Sequence, residues 1–550
     1  MIAASTTLTA PESAASRPAD ALKSGTLWLV HEWKANERVS VTASPTNGVS
    51  WASERAPPGV IVGARAAINQ IELLVMRARG ADRDRVAVVK FRSVADNAAD
   101  AAAWADAMRA CAQYRINRPL RLASGESGSS SSSVCKPVLV LVNPFGGRKL
   151  AQQIWRTKAK PVFDAAGVPY ELQLTTHAGH AAELAFSLDF GKYAGFVTCS
   201  GDGLLWEALQ GIMQRKDWHR VLASTSFGII PAGSGNGLAA SIGTLDPAVA
   251  AATICMGVAR PMDLAAVRQY AADGSFRVWW SILMLTWGLI ADVDIGSENL
   301  RALGGARFTV AGVQRVAKLH AYAGRIAFLP AADGDAKARA PRCDGPLGAC
   351  KHCDTAVRVA EHAAQVDEFV SADDADDDDD AAAAAPHAPS FDPKAVKLGS
   401  ARGAAADVVS RVPRDFSFDN PPAGWQVLPQ QRFLMLLVAN HTHISYDTYV
   451  APNAHISDGK LDVVAIPGGC TRGDALKVLL NMDSGSAFTT SPASIYAKAL
   501  AVVVEPSDVA DAGIMDADGE QIPAVRTAVE VYRSMFSFFC KQHTVRDAGN

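Results

Sequence analysis

Residues 197–207 read VTCSGDGLLWE and divide into three parts. A run of small and β-branched residues predicts a strand, the SGDG segment at 200–203 predicts a tight turn, and the leucine spacing after it predicts a helix. A strand, a glycine turn and a helix in that order aim backbone N–H groups at one point, which is how proteins hold phosphate. A plain tight turn would look the same in isolation. Because Asp202 carries a carboxylate into the turn, we expect it to face Mg²⁺ or a hydroxyl that must lose its proton.

Three further segments of the same design precede or follow this one. Strand-like runs end in NPFGG at 143–147, in TTHAG at 175–179 and in GSGNG at 233–237. Four strand–loop–helix units predict a doubly wound α/β nucleotide-binding domain whose loops gather at the carboxyl edge of a parallel sheet. No G-x-x-x-x-G-K-[ST] run follows the first strand, which excludes a Walker-type ATPase.

The motifs NPFGG, SGDGLLWE and PAGSGN, in this order, resemble the catalytic domain of the diacylglycerol kinase and sphingosine kinase superfamily. The serine that opens SGDG favours the sphingosine kinase branch. The segment WGLIADVD at 287–294 and the segment MDADGE at 515–520 resemble later parts of that branch. The resemblance covers residues 136–330 and about 425–540, and it implies a lipid kinase that uses ATP and Mg²⁺.

The resemblance also implies roles for individual residues. Asp202 would be the general base on the lipid hydroxyl, and Arg301 and Arg307 would neutralise triphosphate charge. The turn around Asp202, together with Asp294, would contact the lipid. The implied substrate-binding set is therefore Ser200, Gly201, Asp202, Gly203 and Asp294. The implied nucleotide-binding set is Asn143, Pro144, Phe145, Thr175, Thr176, His177, Ala178, Gly179, Glu207, Gly233, Ser234, Gly235, Arg301, Arg307, Asp518, Gly519 and Glu520.

Asp294 bears on which lipid is used. It follows an apolar stretch, and a carboxylate at the mouth of an apolar cleft suits the ammonium of a sphingoid base, whereas diacylglycerol offers no cation. We therefore predict phosphorylation of the primary hydroxyl of a sphingoid long-chain base. The alternatives are a ceramide or diacylglycerol kinase and, from a different class, an inactive membrane-docked scaffold. Asp294 could also cap a strand end, Arg301 and Arg307 could be solvated helix charges, and Glu520 could sit in a hairpin turn.

The rest of the chain shows several changes of composition. Strand-like runs before a helix with Trp104 and Met108 on one face resemble a pleckstrin-homology (PH) module, although a generic small α+β domain fits as well. The later β patterns predict an all-β antiparallel sandwich, which an Ala-, Asp- and Pro-rich segment interrupts. The predicted divisions are a disordered tail at 1–24, the PH-like module at 25–112, a serine-rich linker at 113–135, the α/β domain at 136–262, the sandwich at 263–332 and 425–541, and a disordered acidic insertion at 333–424.

Composition limits the partners and the compartment. A net charge of −3 gives no reason to expect a nucleic acid. The nine cysteines show no disulfide framework, and the longest apolar stretch is interrupted and too short for a bilayer span. We therefore expect a cytoplasmic protein that is peripherally associated with membranes. Cys343, Cys350 and Cys353 favour an unstructured thiol-bearing loop over a zinc site, since only one C-x-x-C pair is present.

Overall fold

The computed structural model describes most of the chain outside the acidic insertion. The predicted Cys343, Cys350 and Cys353 cluster and Arg301 lie outside the described residues. The described residues are 6–7, 23–30, 37–44, 48–51, 54–56, 61–67, 70–79, 83–93, 98–116, 136–257, 259–271, 275–296, 306–331, 410–485, 487–489, 491, 493–508 and 510–540.

An eight-stranded sheet and one helix form the described part of the N-terminal unit. Two antiparallel meanders join through the β2–β8 pair in the order β5-β4-β3-β2-β8-β7-β6, and Trp104 and Met108 of α1 are buried against them. Part of the predicted tail is therefore structured, because β1 pairs with β3 and β2 begins at Lys23. The elements are β1 Thr6–Thr7, β2 Lys23–Val30, β3 Glu37–Ser44, β4 Gly48–Trp51, β5 Glu54–Ala56, β6 Ile61–Ala67, β7 Gln70–Arg79, β8 Arg83–Ser93 and α1 Ala98–Ile116.

The predicted parallel α/β sheet is confirmed. Four strands pair in the order β10-β9-β11-β12, and helices cover both faces, which is why β9, β11 and β12 are buried along their whole length. The strand order reverses between β9 and β11, so their carboxyl ends form the crevice where such sheets bind ligands. The elements are β9 Val138–Val142, α2 Ala151–Ile154, a π turn Trp155–Ala159, α3 Lys160–Ala166, β10 Tyr170–Leu174, α4 His180–Ser187, a 3₁₀ turn Phe190–Lys192, β11 Gly195–Ser200, α5 Asp202–Ile212, α6 Trp218–Ser224, β12 Ser226–Pro231, α7 Gly237–Ser241 and α8 Pro247–Cys255.

The second domain is built from antiparallel strand pairs, as predicted. Its last strand, β25, also pairs in parallel with β12, so the two domains share one continuous sheet. The strands are β13 Ala259–Tyr270, β14 Phe276–Ser281, β15 Met284–Gly288, β16 Tyr322–Pro330, β17 Gln426–Val427, β18 Arg432–Ala439, β19 His443–Ser445, β20 Thr448–Tyr449, β21 Leu461–Pro467, β22 Ile495–Pro506, β23 Met515–Ala517, β24 Glu520–Ile522 and β25 Thr527–Phe539.

Helices also belong to this domain, so the prediction that it is all-β is wrong. The helices are α9 Leu289–Gly296, α10 Ala306–Lys318 and α11 Arg472–Leu480. Residues 282–293 are apolar almost throughout, and a continuous apolar run does not distinguish a buried strand from a buried helix. The change occurs at Gly288, whose φ of +82° ends β15 and starts α9.

The structure also corrects the end of the predicted disordered insertion. Residues 410–424 are described, and Val412, Phe416 and Phe418 are buried against the sheet together with Trp425. Composition averaged over the whole segment hides these few apolar side chains, which supply enough buried area to order its last part. In the described part of the chain, no helix has the length and apolar character needed to cross a bilayer.

Candidate active site

One cavity of about 670 Å³ lies where the carboxyl ends of β9, β11 and β12 meet the second domain. The first domain contributes the glycine loops to its wall and the second domain contributes apolar side chains, a combination suited to a ligand with a phosphate and an alkyl chain. The loop residues are Asn143, Gly146, Gly147, Ser200, Gly201, Gly203, Gly233, Ser234, Gly235 and Asn236. The apolar residues are Leu283, Met284, Leu289, Ile290, Val293, Leu434, Met435, Ile444, Ile466, Ala475, Val478, Leu479, Leu480 and Met482.

All the charged side chains that line this cavity are acidic. None of the described residues that line it is a lysine, an arginine or a histidine. A cavity with this lining favours cationic ligands. The carboxylates in its wall are Asp202, Glu207, Asp294, Asp447, Asp483, Asp516, Asp518 and Glu520.

Asp202 is the first residue of α5 and is held by another helix. Its Oδ2 accepts a hydrogen bond from the Gly237 backbone N–H at 2.7 Å, and its Oδ1 accepts one from Leu238 at 3.1 Å. Burial raises the pKa of Asp202 to about 6, these two N–H donors oppose the shift, and the charge of Asp518 adds to it. The carboxylate is therefore fixed in position, and its pKa lies near neutral pH, as a general base requires.

The β19–β20 hairpin of the second domain fixes the position of α7. The Tyr446 N–H donates to the Gly235 carbonyl at 2.7 Å, and the His443 N–H donates to Ser241 Oγ at 3.1 Å. A Cβ at Gly237 would lie 2.7 Å from the Ile444 carbonyl oxygen, so this contact requires glycine. The hairpin β19–β20 thus positions the two N–H groups that hold Asp202.

Glu207 anchors the TTHAG loop to α5. Its Oε1 accepts a hydrogen bond from the Ala181 N–H at 2.8 Å, in the first turn of α4, where Gly179 offers no side-chain cap. Burial raises the pKa of Glu207, and the N–H groups of the α4 turn oppose that shift. The carboxylate therefore fixes the start of α4 and also borders the cavity.

Asp518 organises the turn between β14 and β15. Its Oδ1 accepts hydrogen bonds from Ser281 Oγ and from the N–H groups of Leu283 and Met284, and its Oδ2 accepts one from Ile282. Four donors from its own chain engage this carboxylate, which favours a structural role over direct contact with a nucleotide. The residue adopts a φ of +55°, which turns the chain toward Glu520.

Two more carboxylates flank this turn. Glu520 Oε1 lies 3.7 Å from the position of a Cβ on Gly203, so it reaches the start of α5 beside Asp202. Asp294 comes from α9, and its Oδ2 lies 3.7 Å from the position of a Cβ on Gly519. Segments more than 200 residues apart in the sequence thus meet at one end of the cavity.

The structure brings most of the predicted site together, but not all of it. Phe145 is 62% exposed and Pro144 lies outside the lining. The TTHAG loop, whose His177 stacks on His180 of α4, does not line the cavity. Arg307 falls within α10. The predicted residues that do line the cavity are Asn143, Ser200, Gly201, Asp202, Gly203, Glu207, Gly233, Ser234, Gly235, Asp294, Asp518, Gly519 and Glu520.

Sequence reasoning missed several lining residues. Ser445, Asp447 and Thr448 stand on or beside the β19–β20 hairpin, and no motif singled them out. Asp516 could have been identified from the sequence, since it lies inside the MDADGE segment, two residues before Asp518. Among the described residues, no group of three or more His, Cys, Asp or Glu side chains is arranged to hold a metal ion.

Comparison with known proteins assigns both domains. Residues 137–267 match the diacylglycerol kinase catalytic domain, and residues 426–540 match the YegS C-terminal NAD kinase beta sandwich-like domain. Sphingosine kinase 1 of Arabidopsis thaliana is 30% identical over 75% of this chain and 74% of that protein. Sphingosine kinase 2 of Homo sapiens is 30% identical over 78% of this chain and 74% of that protein. The chain belongs to the sphingosine kinase family. Sphingosine kinase 1 of Homo sapiens is 28% identical and is covered over 89% of its length.

As a member of the sphingosine kinase family, the protein is a lipid kinase, and ATP use follows from that class. The two matched domain models meet at the cavity. Asp202 belongs to the first and Glu520 to the second, whereas Asp294 lies in the segment between them. The cavity is therefore assembled from both domains and from their connection.

Proposed function

We propose that this kinase transfers the γ-phosphoryl group of ATP to the primary hydroxyl of a sphingoid long-chain base. The observation that carries the proposal is a single cavity whose wall combines the glycine loops of the first domain, apolar side chains of the second domain and several carboxylates. A sphingoid base combines an alkyl chain, an ammonium group and a primary hydroxyl. This cavity suits it better than diacylglycerol, which has no positive charge to pair with Asp294.

We assign the proton transfer to Asp202. Each carboxylate oxygen has two lone pairs, so both oxygens can accept from the α7 N–H groups and still receive a proton. The hydroxyl proton passes to Asp202 as the substrate oxygen bonds to the γ-phosphorus. The bond from that phosphorus to the β–γ bridging oxygen breaks, and ADP leaves. Positioning and charge neutralisation supply most of the barrier reduction, as is general for phosphoryl transfer.

We assign the triphosphate to the glycine loops. Gly147 packs against the backbone of Gly233 and Ser234, which brings two of these loops together at the N-terminal end of α5. Mg²⁺ prefers hard oxygen ligands and usually takes only one or two from the protein, with the rest from phosphate and water. Glu520 fits that role, since its carboxylate reaches the start of α5. Bound with ATP, Mg²⁺ would supply positive charge against the triphosphate, together with Arg301 and Arg307.

We propose that the kinase works at a membrane surface as a cytoplasmic, peripheral protein. Val310 and Val313 of α10 and Leu476 and Leu480 of α11 are exposed, and the two helices pack together. Leu480 is 60% exposed and also lines the cavity, so this apolar surface is continuous with the proposed lipid slot. Substrate could pass from a bilayer into the slot without crossing water.

We propose that the N-terminal unit is a PH-like docking module. Two antiparallel meanders joined by the β2–β8 pair, followed by a helix that packs on them, support this assignment. The proposal concerns docking alone and names no lipid headgroup.

An acceptor panel with labelled ATP tests the proposal. Phosphorylation of a free sphingoid base, with much slower turnover of an N-acylated base and of diacylglycerol, is the expected result. Preference for either neutral lipid would assign the enzyme to the ceramide or diacylglycerol kinases. ATP turnover that no lipid stimulates would contradict the lipid-kinase mechanism.

A further inference from the structure

Tyr322 on β16 lies outside the wall of the cavity but packs against two segments that lead into that wall. Its ring lies between two glycines. A Cβ on Gly288 would be 3.2 Å from its Cδ2 atom, and a Cβ on Gly513 would be 2.6 Å from its Cε1 atom. Gly288 directly precedes α9, and Gly513 lies two residues before β23. One side chain therefore supports the start of two elements that line the cavity.

Asp292 of α9 binds the hydroxyl group of this tyrosine. Its Oδ2 accepts a hydrogen bond from Tyr322 Oη at 2.5 Å, and the guanidinium of Arg315 on α10 lies 3.8 Å from the same oxygen. The carboxylate also accepts a hydrogen bond from the Ile514 N–H, and the Ile514 carbonyl accepts one from the Gly288 N–H at 3.1 Å. These hydrogen bonds tie α9 to β16 and to the segment that leads into β23.

The same contacts fix the orientation of α9. Its residues in the cavity wall are Leu289, Ile290, Val293 and Asp294, and Asp292 lies on another side of the helix. Burial raises the pKa of Asp292, and the donors from Tyr322 and Ile514 and the charge of Arg315 oppose that rise. A buried carboxylate is stable only while its donors stay in place, because a lost hydrogen bond leaves it desolvated. An anchor on one side of the helix thus determines where the other side meets the cavity.

Building on the proposed function, we propose that Tyr322 is a positioning residue for the lipid acceptor. Its hydroxyl group, through Asp292, holds α9 in the orientation that shapes the apolar wall around the alkyl chain. The effect is confined to the lipid part of the cavity. Asp202 is held separately by α7, and the glycine loops assigned to the triphosphate belong to the first domain.

The Tyr322→Phe variant removes this hydroxyl group and keeps the ring between the two glycines. We expect the KM for sphingosine to rise about fivefold, as the loss of one hydrogen bond implies. The kcat at saturating lipid and the KM for ATP should stay within about twofold, because the reacting groups do not move. Discrimination by chain length should weaken too, since a loosened wall gains less from each added methylene. The ratio of kcat/KM for sphingosine to that for its twelve-carbon homologue should fall about threefold.

Two matched variants separate positioning from loss of fold. Asp292→Asn should keep the KM for sphingosine close to that of the unmodified enzyme. Its amide oxygen can accept from the Ile514 N–H, and its amide nitrogen can donate to Tyr322 Oη. Tyr193→Phe removes a hydroxyl group that donates to Glu171 Oε2 on the edge strand β10 at 2.9 Å, and it should leave both KM values unchanged. Thermal unfolding of each variant measures loss of fold, which lowers the active fraction and the apparent kcat but not the KM.

Several results would overturn the inference. An unchanged KM for sphingosine in Tyr322→Phe would do so, as would an equal rise in the KM for ATP or an Asp292→Asn enzyme as impaired as Tyr322→Phe. If the unmodified enzyme phosphorylates a different lipid, the proposed function fails, and the same variants measured with that lipid still decide the role of Tyr322. If sphingosine is the acceptor and Tyr322→Phe behaves normally, the failure is confined to the positioning role.

Discussion

The contact between Gly237 and the β19–β20 hairpin should control catalysis through the position of Asp202. An alanine at 237 would place its Cβ 2.7 Å from the Ile444 carbonyl oxygen and 2.8 Å from that of His443. A carbon and an oxygen approach to about 3.3 Å without strain, so α7 must shift by roughly 0.6 Å. That shift moves the Gly237 and Leu238 N–H groups away from Asp202.

The expected loss follows from the position of the general base. A misplacement of about 1 Å at a reacting group can cost on the order of 100-fold in rate. We therefore expect kcat of Gly237→Ala to fall roughly 10- to 100-fold, or about 1.4 to 2.7 kcal/mol in activation free energy. The N–H donors lower the pKa of Asp202, which burial has raised to about 6. Weakening these hydrogen bonds raises that pKa further, so the acidic limb of the pH–rate profile should move to higher pH.

The assay is the pH dependence of steady-state turnover with saturating ATP and sphingoid base. Gly469→Ala is the matched control, because nothing lies within 4 Å of the added Cβ, and it should leave kcat and the pH profile unchanged. Thermal unfolding of both variants separates local misplacement from loss of fold. A Gly237→Ala enzyme with normal kcat and an unmoved acidic limb would refute the positioning of Asp202 by the hairpin.

Three further predictions concern other parts of the molecule. Asp202→Asn should keep ATP affinity in calorimetry and lose about 10²- to 10⁴-fold in kcat, the usual contribution of a general base; normal turnover would exclude that role. Glu207→Ala leaves the Ala181 N–H without its acceptor and should lower the free energy of unfolding by about 1–3 kcal/mol. Glu207→Gln should lower the free energy of unfolding less. Equal losses for the two variants in denaturant melts would contradict the capping role. Val313→Glu should abolish sedimentation with lipid vesicles while leaving activity on detergent-dispersed substrate intact. Its control is Leu172→Glu on the edge strand β10, because the side chains of Leu172 and Val313 are similarly exposed.

Local pattern was enough to predict the α/β half of the molecule. Each loop there directly follows its strand, and the carboxyl ends of parallel strands necessarily meet at one edge. The order of strands and loops along the chain therefore suffices to group Asn143, Ser200, Asp202 and Gly233. The stretch 289–296 could not be assigned as a helix, because a continuously apolar run carries no periodicity.

The strand–turn–helix order, the acid in the SGDG turn and the likeness to a kinase family can all be predicted from the amino-acid sequence, because they depend on residues that are neighbours in the chain. Three contacts become visible only in the folded protein: Glu207 caps α4, Asp518 is engaged by the β14–β15 turn, and Asp294 and Asp516 both lie beside Gly519. Those contacts join residues 26 to more than 200 positions apart. No local pattern records such a distance, since it results from how the two domains fold onto one shared sheet.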